Sequence, residues 1–224
     1  MTDVTLSPMR MMLLLLVGVL VAAPVAAQEA LPRFEKEVAA YEAVDRKNPP
    51  PKGQILFIGS SSIVDWDVSR YFPDLRIVNR GLWGSALADA VRLIDRLVVP
   101  YQPRTVVVYA GDNDIDAGMT TEDVAVQFER FVRAVHTKLP QTRIVYIGIK
   151  PSPQRWATID RMRAANMLIR AFCTRDDRVA FIDVDSAMLG WDEKPRSELY
   201  ADDGLHLSPL GYQLWTMLLR PFLN

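Results

Sequence analysis

Cysteine and histidine are scarce in this chain. Of 224 residues one is cysteine, Cys173, and two are histidine, His136 and His206. A single thiol excludes an internal disulfide framework. No CxxC pair or Cys/His cluster offers metal-ligand spacing, so neither a metal nor a cofactor is expected. Cys173 lies beside Phe172 in a helical pattern and reads as an inert buried thiol. Glycine-rich phosphate loops are also missing: no G-x-G-x-x-G or G-x-x-x-x-G-K-[ST] pattern follows an apolar run, which argues against a phosphoryl-handling domain. Charge of one sign is lacking, since the net charge is −1 with acids and bases interspersed. That removes the electrostatic footprint of a nucleic-acid partner. Repeats, low-complexity tracts and linkers are absent.

What is present is 50% hydrophobic and 24% charged, enough for one globular domain with a sizeable core. The first residues stand apart. Arg10 precedes an uncharged apolar stretch, 11–23, shorter than the roughly 20 residues of a membrane span. Pro24-Val25-Ala26-Ala27-Gln28 follows, with small residues placed for cleavage after Ala27. Residues 1–27 are therefore expected to be a secretory signal and 28–224 the folded domain, exported to a bacterial periplasm or secreted, with no membrane span after cleavage. An uncleaved anchor is the alternative.

From Leu31 to Asn48 apolar residues recur at helical spacing, and Pro49-Pro50-Pro51 ends that pattern. Short β-branched runs then alternate with helical segments. The runs are 55–58, 76–78, 105–109, 143–149 and 179–183. The helical segments are 63–71, 85–97, 121–139, 156–174 and 209–219, with His136, Met162 and Met167 read as structural or packing residues. Such alternation predicts an α/β fold with a parallel sheet covered on both faces. Ligands then bind beyond the carboxyl ends of the strands. The residues that follow the runs are chemically able ones: Gly59-Ser60-Ser61-Ser62, Asn79 to Ser85, Gly111-Asp112-Asn113-Asp114, Lys150 to Trp156, and the later Asp203-Gly204-Leu205-His206.

A serine after a buried strand, with glycine permitting a tight turn, can be a nucleophile or merely a helix cap, and Ser60, Ser61 and Ser62 all qualify. Gly84 and Asn113 can supply a backbone and an amide donor to an oxyanion, or can be turn residues. A carboxylate three positions before a histidine can hold Nδ1–H and leave Nε2 to accept a proton. Asp203 has that spacing, Asp202 is an alternative, and a capping role is the bland reading. Trp83, Arg155, Trp156 and Arg80 lie in strand-end loops where they can line a pocket, stack on a sugar or hold an anionic group.

Taken together and in order, Gly59-Ser60-Ser61, Gly84, Gly111-Asp112-Asn113-Asp114 and Asp203-Gly-Leu-His206 resemble the blocks of the SGNH/GDSL hydrolases. The resemblance spans Ile55 to the final helix. Ser60 stands where that family usually has Asp, a departure that resembles its Gly-Ser-Ser-Ser branch. The resemblance implies a three-layer α/β/α sandwich of flavodoxin-like type, with five parallel strands in the order 2-1-3-4-5. It further implies Ser61 as nucleophile, His206 as general base and Asp203 as its orienting carboxylate. The oxyanion hole it implies is made by the Ser61 and Gly84 N–H groups and the Asn113 side chain. The expected activity is carboxylic ester hydrolysis on a small-molecule, saccharide or lipid ester. Saccharide O-acetyl esterase, lysophospholipase and thioesterase are variants of that chemistry, and a non-catalytic binding module is the competing class.

Overall fold

Each of the short β-branched runs becomes a strand. The strands are β1 (Ile55–Gly59), β2 (Ile77–Gly81), β3 (Thr105–Tyr109), β4 (Arg143–Ile147) and β5 (Val179–Ile182). They pair in parallel throughout, in the order β2-β1-β3-β4-β5. The computed structural model describes residue 1 and residues 33–223. The expected signal segment, 1–27, lies outside the described residues apart from residue 1, while Phe34–Asn224 forms one compact unit. No helix among the described residues is long and apolar enough to cross a membrane.

Because side chains alternate along a strand, each central strand feeds two cores. Leu56, Ile58, Val106, Val108, Ile144 and Tyr146 face one way. They are covered there by Phe128 and Phe131 of α7 (Thr121–Lys138) and Met162 and Ile169 of α8 (Ile159–Cys173). Ile55, Phe57, Val107, Tyr109, Val145 and Ile147 face the other way, against Ile63, Trp66 and the Tyr212 and Trp215 side chains of α9 (Pro209–Leu219). Helices on both faces of an all-parallel sheet make the three-layer α/β/α sandwich. A smaller cluster joins Phe34 and Val38 to Leu82, Leu93 and Leu97, and so seats α1 (Glu35–Lys47).

Several boundaries differ from the sequence expectation. β2 runs on through Asn79 and Arg80 to Gly81, residues too polar to read as strand. Edge position explains this: β2 is paired on one side only, and the Asn79 amide turns back to donate to the Ile63 carbonyl at 2.6 Å. The 63–71 helix is two short ones, α2 (Ser61–Val64) and α3 (Val68–Tyr71). Asp67 caps α3 by accepting from the Arg70 N–H, which stops the first helix. The 85–97 segment divides at Leu93 into α4 (Leu87–Arg92) and α5 (Ile94–Leu97). α8 starts at Ile159, after a 3₁₀ stretch over Pro153–Thr158. Cys173 and Met162 are buried as expected, with burial pushing the thiol pKa up to about 12. Met167 is exposed instead of packed.

Candidate active site

The site is assembled at the carboxyl ends of β1, β2, β3 and β4. At the end of β1 the chain turns hard into α2. Gly59 has φ of 137°, and a Cβ there would come within 1.9 Å of the Tyr109 carbonyl oxygen of β3, so no side chain fits. Ser60 is the N-cap residue of α2, yet its buried hydroxyl makes no capping bond and has no partner among the described residues. The cap reading of these serines therefore fails where it was most natural. Ser62 is buried, and its hydroxyl accepts from Lys150 Nζ at 3.3 Å. Ser61, the first residue of α2, is the half-buried one.

His206 arrives from 145 positions downstream and meets it. Its Nε2 lies 3.0 Å from Ser61 Oγ, and its Nδ1 lies 2.5 Å from Asp203 Oδ2. With Nδ1–H donating to the carboxylate, Nε2 is the acceptor and the serine O–H the donor. The other Asp203 oxygen accepts from the Leu205 and His206 N–H groups, each at 2.9 Å. These bonds, that from the imidazole foremost, hold the Asp203 carboxyl down at about 2. Asp203, not Asp202, reaches the ring. Nor is Asp203 the cap of α9: that role falls to Ser208, which accepts from the Gly211 N–H at 3.2 Å. His136 is elsewhere, on α7, its Nε2 3.0 Å from the Thr142 carbonyl oxygen.

The loop after β2 carries Trp83 and Gly84. The Leu82 N–H donates to the Gly59 carbonyl at 2.8 Å, which draws this loop to the end of β1. Gly84 adopts a left-handed φ of 68°, where an L side chain is strained. Asn113, in α6 (Asp112–Asp116), donates through Nδ2 to the Ser85 carbonyl at 3.0 Å, so it sits beside the Gly84 turn. Asp114 accepts the Leu87 N–H at 3.1 Å and caps α4. Burial pushes the Asp114 carboxyl up to about 6 against that bond.

The three expected pocket residues part company. Trp83 is exposed and meets the His206 ring edge-on, with centroids 5.2 Å apart. Arg155 does not line an open pocket: its guanidinium is turned inward to Asp112, Asp116 and Asn113, with only 9% of the side chain exposed. Trp156 is half-buried with two cations near its ring, Lys194 Nζ at 4.9 Å and the Arg163 guanidinium at 5.7 Å from the centroid. Arg80 points toward α1, paired with Asp45 and accepted by Tyr101 Oη, because an outward residue of an edge strand meets the helix beside it.

Lys150, which from the sequence only opens the loop after the fourth run, has a definite place in the structure. It is buried at the end of the fourth apolar run, and its three N–H donors meet three acceptors: Tyr109 Oη at 2.9 Å, Asp112 Oδ2 at 3.2 Å and Ser62 Oγ. Burial works against charge on Asp112, but the Lys150 and Arg155 cations outweigh it and hold that carboxyl below the usual range. The signal was in the sequence: a lysine directly after a strand meant for the interior requires an acid beside it. Asp112 occupies the corresponding place after β3.

An imidazole oriented by a carboxylate and bonded to a serine hydroxyl suits acyl transfer. The sequence profile of the GDSL-like Lipase/Acylhydrolase family matches residues 59–214. The chain is 30% identical over 188 residues to the platelet-activating factor acetylhydrolase IB subunit alpha1 of Bos taurus, covering 79% of this chain and 78% of that protein. It is 26% identical over 176 residues to the alpha2 subunit of Rattus norvegicus, covering 75% and 74%. Among solved structures, a GDSL-like lipase of Bacteroides thetaiotaomicron superposes with a TM-score of 0.71 at 17% identity, covering 83% of this chain and 96% of that one. A catalytic mutant of an acetylxylan esterase from Geobacillus stearothermophilus does so with 0.61 at 15%, covering 76% and 94%.

Proposed function

This chain belongs to the GDSL-like lipase/acylhydrolase family, and from that premise we propose that it is a serine esterase removing short acyl groups, acetyl above all, from alcohol oxygens. The observation that carries the reading is the continuous hydrogen-bonded line from Ser61 Oγ through His206 to Asp203. In the first step Ser61 Oγ bonds to the ester carbonyl carbon while its proton passes to His206 Nε2. Negative charge gathers on the carbonyl oxygen and is met by the Ser61 and Gly84 N–H groups and the Asn113 amide. The carbon–oxygen bond to the alcohol then breaks, the alkoxide taking the proton from His206. Water repeats the sequence on the acyl-serine and frees the acid. Asp203 keeps the ring in one tautomer and offsets the charge it acquires. Each oxyanion donor contributes roughly 3 kcal/mol to the transition state.

The acetyl preference rests on what the relatives are called, an acetylhydrolase and an acetylxylan esterase. The exposed Trp83 ring beside His206 supports an alcohol portion with a face to stack, such as a saccharide. Ser61→Ala is expected to lower kcat on p-nitrophenyl acetate by at least about 10⁴-fold with an unchanged circular dichroism spectrum. Wild-type turnover in that variant removes Ser61 from the role. Comparing acetyl, butyryl and octanoyl esters tests the acyl size, and equal kcat/KM across them contradicts the acetyl preference.

The further reading of residues 1–27 as an export signal is supported by their composition alone. N-terminal sequencing of the protein recovered from a bacterial periplasmic fraction is expected to begin at Gln28, and an intact residue 1 there contradicts cleavage.

A further inference from the structure

Beneath the site runs a line of buried charged and polar groups, Ser62, Lys150, Asp112 and Arg155, that the ester chemistry does not itself use. It starts next to the nucleophile and ends on Asn113. Lys150 and Asp112 are 1% and 4% exposed, and the Arg155 side chain 9%. Lys150 Nζ and Arg155 Nη1 both lie 3.2 Å from the same Asp112 oxygen. The other Asp112 oxygen accepts the Asn113 N–H at 3.0 Å. Arg155 Nη2 then donates to Asn113 Oδ1 at 3.0 Å and reaches Asp116 at 3.2 Å. Taking such charges out of water costs several kcal/mol per ion, and apolar residues of similar size often stabilise as well or better. The network is therefore poorly explained as a source of stability.

Its effect on Asn113 is specific. An asparagine amide has one accepting end and one donating end. Arg155 presents only N–H groups to one end, and the Ser85 carbonyl presents only an acceptor to the other. A flipped amide would set donor against donor and acceptor against acceptor. The amide is thus held with Nδ2 toward the Gly84 turn, one of its two hydrogens on the Ser85 carbonyl and the other without a partner among the described residues. The far end of the line fixes the nucleophile's turn in the same way: the Ser62 hydroxyl is held by Lys150 and its carbonyl accepts from Tyr212 Oη at 3.0 Å.

We propose that Arg155, held by Asp112, which Lys150 also pairs, is a positioning residue that sets the donor polarity of Asn113 toward the oxyanion. This rests on the reading of Asn113 as an oxyanion donor, and a double-mutant cycle on kcat with a neutral acetyl ester tests the two separately. Asn113→Ala is expected to lower kcat by about 10²–10³-fold. Arg155→Ala is expected to lower kcat by about 10–100-fold with KM within twofold, since a small misplacement of a catalytic donor has effects of that size. In the Asn113→Ala background the same Arg155→Ala change is expected to lower kcat less than twofold, because no amide remains to be oriented. A kcat loss that multiplies equally in both backgrounds assigns Arg155 to general structure and overturns the proposal while leaving Asn113 in place. Wild-type kcat in Asn113→Ala overturns the oxyanion reading and this one with it. A KM rise confined to anionic esters, with kcat unchanged, makes Arg155 a ligand contact and overturns the proposal. Should Arg155→Ala fail to fold, Arg155→Lys, which keeps a charge on Asp112 without the planar fork, is read in the same cycle with the same criteria.

Discussion

Two carboxyls of the site are shifted in opposite directions, and their causes are opposite. Bonds from the His206 ring and two backbone N–H groups hold Asp203 at about 2, so it is ionised wherever the protein works. Its contribution to stability is present above the ordinary carboxyl range and is lost as pH falls through about 2. Burial instead raises Asp114 to about 6. The folded state then binds the Asp114 proton more readily than the unfolded chain, so this residue lowers stability as pH rises from about 4 to about 6. Asp114→Asn keeps an oxygen acceptor for the Leu87 N–H and removes the titration. Thermal melts across pH 4–8 are expected to show the variant gaining stability over wild type between pH 4 and 6 and holding that gain above it. A constant difference across the range contradicts the shift. Asp203→Asn is expected to lower kcat by about 10³–10⁴-fold with little change in KM, since the amide can donate to Nδ1 and favour the wrong tautomer. Equal kcat in the two proteins contradicts the role of Asp203.

At the scale of elements, α9 brings the two ends of the site together. Its residues Tyr212 and Trp215 join Trp66, Phe57 and Tyr109 in one aromatic cluster, with the Trp215 and Tyr109 rings 4.8 Å apart. Gly211 lets the helix lie close to the Ser197–Leu199 turn, for a Cβ there would be 2.2 Å from the Leu199 carbonyl oxygen. Trp215→Ala is expected to cost about 3–5 kcal/mol in urea unfolding, the usual range for a buried tryptophan. A loss under 1 kcal/mol contradicts the packing role. The bounds of α9 were legible to the residue, because Pro209 marks its first turn and the apolar stretch runs on to Leu219, but its cap was not, since Ser208 fills the place that an aspartate was weighed for. β2 was less so: an edge strand carries polar side chains outward, and Asn79 and Arg80 read as loop until their partners Ile63 and Asp45 are known. The split between α2 and α3 was similarly hidden, because Asp67 acts as a cap only once Trp66 has turned into the core.

Across the whole molecule, what the sequence made plain was the part governed by period and order. Alternating runs placed the five strands, and the residues after them converge where a doubly covered parallel sheet exposes its strand ends. Ser61, His206 and Asp203 meet across most of the chain for that reason. The direction in which a loop side chain turns was not legible, because it depends on charges supplied by other loops. Arg155 faces inward to Asp112 and Asn113, and Trp156 has Lys194 and Arg163 near its ring, whereas Trp83 alone of the three stays beside the imidazole. The central claim is that Ser61 is the activated hydroxyl. Reaction of the folded protein with a fluorophosphonate, followed by mass spectrometry of its peptides, tests it most directly. A single adduct on Ser61, lost when His206→Ala removes the base, is expected. An adduct on Ser60 or Ser62, or undiminished labelling of Ser61 without the imidazole, contradicts it.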